Sequence, residues 1–280
     1  MSDRLRPLHA IERWGLSWAL LGGLTLLSLY PFIFVSFTAL KTKKAYAADP
    51  VGPPLQPTLE YLERALTTGN MLGYLLNSLI VVGAAVLLLL VIASMAGYAL
   101  SILKFRGSHL ILVCIICLLA VPAAVVMIPL YRTVSQLGLL NSHLGLTLTY
   151  TALQLPFSIF LMANFFNGLP REIIEAAEMD GAGRFHVFRT IALPLSGPAL
   201  STMATLNFLW LFNELLFGLL LMQDDEKRTL PVGLATLQGQ NTTPVPLLAS
   251  GLLISLVPVL VVFFIAQRSL ARGLTVGAVK

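Results

Sequence analysis

Charged residues cut this chain into long stretches that hold none, and that spacing is what most limits its fold. Twenty-seven uncharged residues lie between Arg13 and Lys41, and 39 lie between Arg64 and Lys104. Arg106 and Arg132 bracket 25, Arg132 and Arg171 bracket 38, and Arg228 and Arg268 bracket 39. Gly197–Met222 is apolar except for Glu214. About 20 apolar residues are enough for a helix to cross a bilayer. Lipid cannot satisfy open backbone groups, so the spans must be helices. The pattern predicts six, over residues 14–40, 72–103, 108–131, 144–166, 197–222 and 246–267. Residues 1–13 and 268–280 flank this six-span domain of 14–267.

Composition agrees. Of the 280 residues, 57% are hydrophobic and 11% are charged, against roughly 25% charged in soluble domains. The pI near 9.4 does not indicate nucleic acid, because the basic residues are scattered among short loops. The two cysteines, Cys114 and Cys117, lie in the apolar run "LVCIICLL" and exclude a disulfide scaffold. Their CxxC spacing lacks the further ligands or the exposed setting that metal or redox chemistry needs, so they read as apolar filler.

Six spans put both termini on one side. With that side cytoplasmic, the inner segments hold 11 of the 18 basic residues and the outer segments hold seven. This agrees with the positive-inside bias, although Lys41, Lys43 and Lys44 oppose it. The first span is too long for a cleaved signal. Two outer loops are sizeable, Lys41–Met71 and Gln223–Val245. The single large inner loop is Asn167–Ser196.

That inner loop is punctuated as two short helices. Pro170 suits a first turn, and Glu172 and Glu175 sit near its positive end. Ile173, Ala176 and Ala177 form an apolar stripe, and Asp180-Gly181 is a stop. Phe185, Phe188 and Ile191 follow at three-residue spacing, with Pro194 ending the second helix. On residue chemistry alone this could be a solvated interfacial helix. Two exposed aromatics, however, would need a partner.

The pattern Glu175-Ala176-Ala177, Asp180-Gly181-Ala182, Ile191, Leu193-Pro194 resembles the signature (EAA) loop of the membrane subunits of ABC importers. "NSLIVVGAAV", "AGYAL", "WLFNE" and "QRSLARGLTVGAVK" extend the likeness along nearly the whole chain, toward the carbohydrate-uptake group and the subunit similar to the maltose permease G subunit. The resemblance implies an all-α membrane protein of the type I ABC importer permease kind, with a two-helix cytoplasmic coupling loop at 167–196. It implies a second homologous permease, two ATP-binding subunits, an extracytoplasmic solute-binding protein and a sugar-like solute. It also implies a bacterial or archaeal cytoplasmic membrane, with both termini cytoplasmic.

The chain has no phosphate-binding G-x-x-x-x-G-K-[ST], so ATP hydrolysis is expected in a separate subunit. No cofactor, metal site or nucleophile–base pair is expected either. His9, His109, His143 and His186 read as loop or interface residues. Ala93, Gly97 and Ser101 form a small-residue ridge suited to close helix packing, within the subunit or across a dimer. Pro122, Pro129, Pro156 and Pro258 can kink the spans. Glu214, the lone acidic residue inside a predicted span, shares its neighbourhood with Asn207, Trp210 and Asn213. Such a group faces a cavity or a partner. The four are therefore candidates for a sugar pathway, or else for a structural hydrogen bond between helices. An ion-coupled secondary transporter is the alternative reading, and an ABC importer for glycerol 3-phosphate or another non-sugar solute is a further one. One off-centre glutamate and no visible inverted repeat weigh against ion coupling.

Overall fold

The computed structural model describes residues 6–238 and 243–276. Parts of the two termini and of the second outer loop fall on residues 1–5, 277–280 and 239–242, outside the described residues. The described residues are helical, with no strand among them. They form two units, one of the residues up to Asn70 with 237–254, the other of residues 71–236 with those from Ser255 on.

In the first unit, α1 (Arg6–Ala39) carries Leu20–Ala39, long and apolar enough to cross a membrane, with Pro31 inside it. The loop that follows is partly helical, as α2 (Lys43–Ala48) and α3 (Glu60–Leu66). Thr42 starts α2, its Oγ1 accepting from the Ala45 N–H at 3.1 Å, the usual role of threonine at a helix start. Lys41 is buried and its Nζ donates to the Asp49 carbonyl at 2.6 Å. Asp49 Oδ1 accepts from the Val51 and Gly52 N–H groups. The Gly52 amide first, then that of Val51, holds this carboxyl below its ordinary value. Polar residues of this loop thus make their own turn.

The second unit is built on α4 (Met71–Tyr98), α7 (His143–Asn167) and α11 (Gly197–Phe212), which pack on one another. Between them in the chain run α5 (Ser108–Leu118), α6 (Ala123–Gln136), α8 (Arg171–Met179), α9 (Arg184–Val187) and α10 (Leu193–Leu195). After α11 come α12 (Leu216–Leu221), α13 (Leu230–Gln238) and α14 (Val245–Val276). Lipid is as apolar as leucine, so transmembrane helices associate through close packing and hydrogen bonds rather than escape from water. The small-residue ridge serves this within the subunit. A Cβ on Gly97 would lie 2.8 Å from Met162 Cβ and 2.9 Å from the Ala163 nitrogen. Ala93 and Ala163 are buried beside it, and Ser101 Oγ returns its proton to the Gly97 carbonyl at 2.6 Å.

Among the described residues, four helical stretches are long and apolar enough to span: Leu20–Ala39, Met71–Leu103, His143–Asn167 and Val245–Gln267. The two remaining predicted spans are not straight helices. Residues 108–131 hold α5 and part of α6, which meet at 101°. The break falls at Leu119–Pro122, where the last α5 turn tightens through Leu119 N→Ile116 O and Val121 N→Leu118 O bonds. Pro122 has no N–H to continue the helix and pushes the residue before it out of the α region. Pro129, Pro156 and Pro258 by contrast sit inside continuous helices. Residues 197–222 hold α11, a break at Asn213–Leu215, and α12. Cys114 and Cys117 are exposed on α5 rather than enclosed by other helices.

The loop after α12 is stitched to other parts of this unit. Tyr74 Oη donates to Asp225 Oδ1 at 2.8 Å, and Asn77 Nδ2 donates to the Glu226 and Arg228 carbonyls. The Leu230 N–H donates to Ser78 Oγ. Asn141, held at φ +54, accepts through Oδ1 from the Gln223 and Asp224 N–H groups. Hydrogen bonding from Asn141, followed by that from Lys227, lowers the Asp224 carboxyl below its ordinary value.

Candidate functional site

The loop at 167–196 closes on itself through its glycine. α8 ends at Met179 with Asp180 as its cap, and Gly181 takes φ +83. The Gly181 N–H then donates to the Glu178 carbonyl and the Ala182 N–H to the Ala177 carbonyl, both at 3.0 Å. Those two bonds are the Schellman ending, which satisfies the last carbonyls of a helix. Only glycine takes this conformation freely.

The second half runs without interruption from Arg184 to Leu195 as α9, a π turn at Phe188–Ala192, and α10. Pro194 therefore lies within the helical run rather than ending it. The widened turn falls where the proline ring would otherwise strike the carbonyl four residues earlier. Ser196, buried and hydrogen-bonded to the Leu193 carbonyl, marks the boundary with α11.

Loop residues sort by face. Ile174, Val187, Phe188 and Ala192 are buried. The Phe188 ring lies 5.1 Å from the Tyr98 ring, and Tyr98 meets Phe166 edge-on at 5.7 Å. Tyr98 Oη also reaches the Arg184 carbonyl at 3.4 Å. Of the two aromatics expected to be exposed, Phe188 is thus an anchor, while Phe185 is 65% exposed. Glu175, Ala176, Asp180 and Gly181 face outward, as does Pro194. Ala177, Ala182, Ile191 and Leu193 are half-buried. Ile173 and Met179 are exposed beside Ala176, and Met179 is 87% exposed. An apolar strip flanked by the carboxyls of Glu172, Glu175 and Glu178 therefore points away from the helix core. Nothing in the sequence pointed to Tyr98 and Phe166 as its supports, since nothing local pairs residues so far apart.

The four polar residues near the end of α11 are divided by the fold. Asn207 and Trp210 line a cavity of about 570 Å³ between α7, α11 and the α5–α6 bend, and Gln154 of α7 shares its wall. Glu214 is drawn into the break. Its Oε1 accepts from the Phe217 N–H at 2.9 Å. Its Oε2 accepts from the Gly218 N–H at 3.1 Å and from Tyr150 Oη at 2.8 Å. The carboxyl thereby caps α12 and ties it to α7. Asn213 donates back to the Leu209 carbonyl at 2.7 Å. Gln154 and Tyr150 were not singled out in the sequence. The isolated amide within "TALQLPF" was the signal available for the first.

Residues 89–276 match the family described as the binding-protein-dependent transport system inner membrane component. The chain belongs to this family. It is 37% identical to a putative ABC transporter permease (ORF2) of Caldicellulosiruptor, over 91% of this chain and 93% of that protein. It is 35% identical to the trehalose/maltose transport permease MalG of Thermococcus litoralis, over 92% and 93%. Its fold matches a chain of a bacterial ABC transporter involved in import of the acidic polysaccharide alginate. The TM-score there is 0.79 over 96% of this chain and 98% of that one, at 23% identity. The protein is a helical, multi-pass ABC importer permease of the inner membrane, a transporter subunit rather than an enzyme.

Proposed function

We propose that this chain forms half of the translocation pathway of a sugar importer and takes its motion from separate ATP-hydrolysing subunits through residues 167–196. In this reading the α5–α6 pair and the α11–α12 pair complete six spans, and both termini are cytoplasmic. Glu175, Ala176, Ala177, Asp180, Gly181, Ala182, Ile191, Leu193 and Pro194 form the coupling element. Asn207, Trp210 and Asn213 border the solute path, and Glu214 fixes its outer end. A second homologous permease, two ATP-binding subunits and an extracytoplasmic solute-binding protein complete the transporter. Relatives named for trehalose/maltose, diacetylchitobiose and melibiose/raffinose/stachyose support a sugar as the solute.

The observation that carries the proposal is the inner loop. It is rigidly closed at Gly181 and anchored beneath by Phe188, yet it presents Ile173, Ala176, Met179 and Phe185 outward. An apolar strip on an anchored, charged loop fits a soluble partner better than lipid alone.

The test is reconstitution in proteoliposomes. The chain alone is expected to give neither ATPase activity nor uptake. The complete complex is expected to import solute with ATP and to keep doing so after an ionophore collapses the ion gradients. Uptake by the lone purified chain, or uptake lost with the gradients while ATP is present, would refute the reading.

A further inference from the structure

We infer that Tyr98 is a positioning residue that locks the second half of the 167–196 loop to α4, so that this loop, α4 and α7 move as one body. This rests on the coupling reading above and adds how a pull on the loop reaches a helix that is not its neighbour in the chain.

The chain carries the loop directly from α7 and into α11. Its link to α4 is made by side chains, and a line of rings forms it. Phe185, exposed on the loop, lies 6.2 Å from Phe188. Phe188 lies 5.1 Å from Tyr98, the last residue of α4. Tyr98 in turn meets Phe166, one residue before the end of α7, at 5.7 Å. Tyr98, Phe166 and Phe188 are buried. The line thus runs from the exposed surface of the loop through α4 to α7. The Tyr98 hydroxyl reaches the Arg184 carbonyl at 3.4 Å, too far for a strong hydrogen bond, so the ring carries the contact.

Two features set this contact apart from ordinary core packing. Helix geometry changes on both sides of it. One π turn, Ala99–Leu103, begins directly after Tyr98, and the other, Phe188–Ala192, begins at Phe188 itself. Single π turns are rare and gather at functional sites. The surroundings of Tyr98 also leave no slack. A Cβ on the adjoining Gly97 would lie 2.8 Å from Met162 Cβ. Leu100 and Ala192, one from each π turn, are buried in the same cluster. Groups packed this closely shift together instead of yielding. Near lipid a leucine is buried as readily as a ring, but edge-on and tilted ring contacts add a fixed orientation that leucine lacks.

The test uses the complete transporter with its ATP-binding subunits, reconstituted in lipid nanodiscs. In a background of Cys114→Ser and Cys117→Ser, spin labels are attached through Arg106→Cys and Thr190→Cys. Arg106 lies in the turn before α5 and Thr190 on the loop, and both are exposed. The separation of the labels is measured by pulsed electron resonance, without nucleotide and with ATP plus vanadate. ATP hydrolysis is measured with and without the solute-binding protein. Wild type and Tyr98→Phe should keep one separation in both states and hydrolyse ATP faster with the binding protein. Tyr98→Leu keeps apolar bulk without the ring. It should lose both the fixed separation and the stimulation, while retaining its ATP-binding subunits and its unstimulated hydrolysis. A merely structural role would not divide these readouts. A wild-type separation that shifts with ATP overturns the inference, as does a Tyr98→Leu complex that matches wild type or sheds its ATP-binding subunits. A wild-type chain that neither holds ATP-binding subunits nor supports their hydrolysis overturns the coupling reading itself.

Discussion

Removing the Glu214 carboxyl should break the α11–α12 junction rather than simply block a passage. Glu214→Ala leaves the Phe217 and Gly218 N–H groups without their acceptor and the fully buried Tyr150 hydroxyl without a partner. Loss of a helix cap costs about 0.5–2 kcal/mol, and an unsatisfied buried hydroxyl about 1–3 kcal/mol. The single variant should thus lose about 2–5 kcal/mol in total. Tyr150→Phe removes one hydrogen bond but leaves the cap intact, at about 1–2 kcal/mol. In the double variant the hydroxyl penalty disappears because the hydroxyl itself is gone. The double variant should therefore be no less stable than Glu214→Ala alone, with a coupling of about 1–2 kcal/mol between neighbours. The assay is the thermal midpoint of the purified complex, followed by size-exclusion fluorescence, with uptake normalised to folded complex. Glu214→Ala should show the larger single drop, and the double variant should match it. Additive drops, or a wild-type midpoint for Glu214→Ala with uptake abolished, would refute the capping argument and favour direct contact with solute.

Gly181→Asp puts a side chain on a left-handed residue, at about 1–2 kcal/mol, and opens the Schellman ending. The six predicted spans should still insert, while pull-down of the ATPase subunits weakens and uptake is lost. Glu175→Lys should do the same if the outward carboxyl meets a basic partner, and normal pull-down and transport by both variants would remove the coupling role. Gly97→Val drives a branched side chain into Met162 and the Ala163 backbone. Overpacking of this kind costs about 1–3 kcal/mol, so the yield of monodisperse complex should fall, and an unchanged yield would show that α4 and α7 do not pack this tightly.

Most of the long helices could be read from the sequence because lipid leaves so few alternatives. A stretch such as Leu72–Leu103 or Leu144–Phe166, uncharged and apolar, has to satisfy its own backbone. The two-helix inner loop with its glycine stop was equally legible, because capping chemistry is local: Asp180-Gly181 carries its own instruction. The small-residue ridge could be located, but whether it packed within the subunit could not, since Met162 and Ala163 are far away in sequence.

What the sequence hid were the interruptions and the sides. A run like Gly197–Met222 looks continuous because apolar composition does not reveal where a helix ends. The break is settled by Glu214, whose carboxyl finds two amides ahead of it and a tyrosine 64 residues behind it. Phe185 and Phe188 are alike in periodicity, yet Tyr98 buries one while the other stays largely exposed among the described residues. Asn207 and Glu214 looked like members of one polar group until the fold buried the oxygen of the first without a partner and occupied both oxygens of the second. The sequence by itself determined a lipid-solvated bundle of helices with a glycine-hinged inner loop, because hydropathy and capping act over a few residues. Only the tertiary structure decided which polar atoms stay free, because a hydrogen bond is satisfied or left open by whichever distant residue packing brings to it.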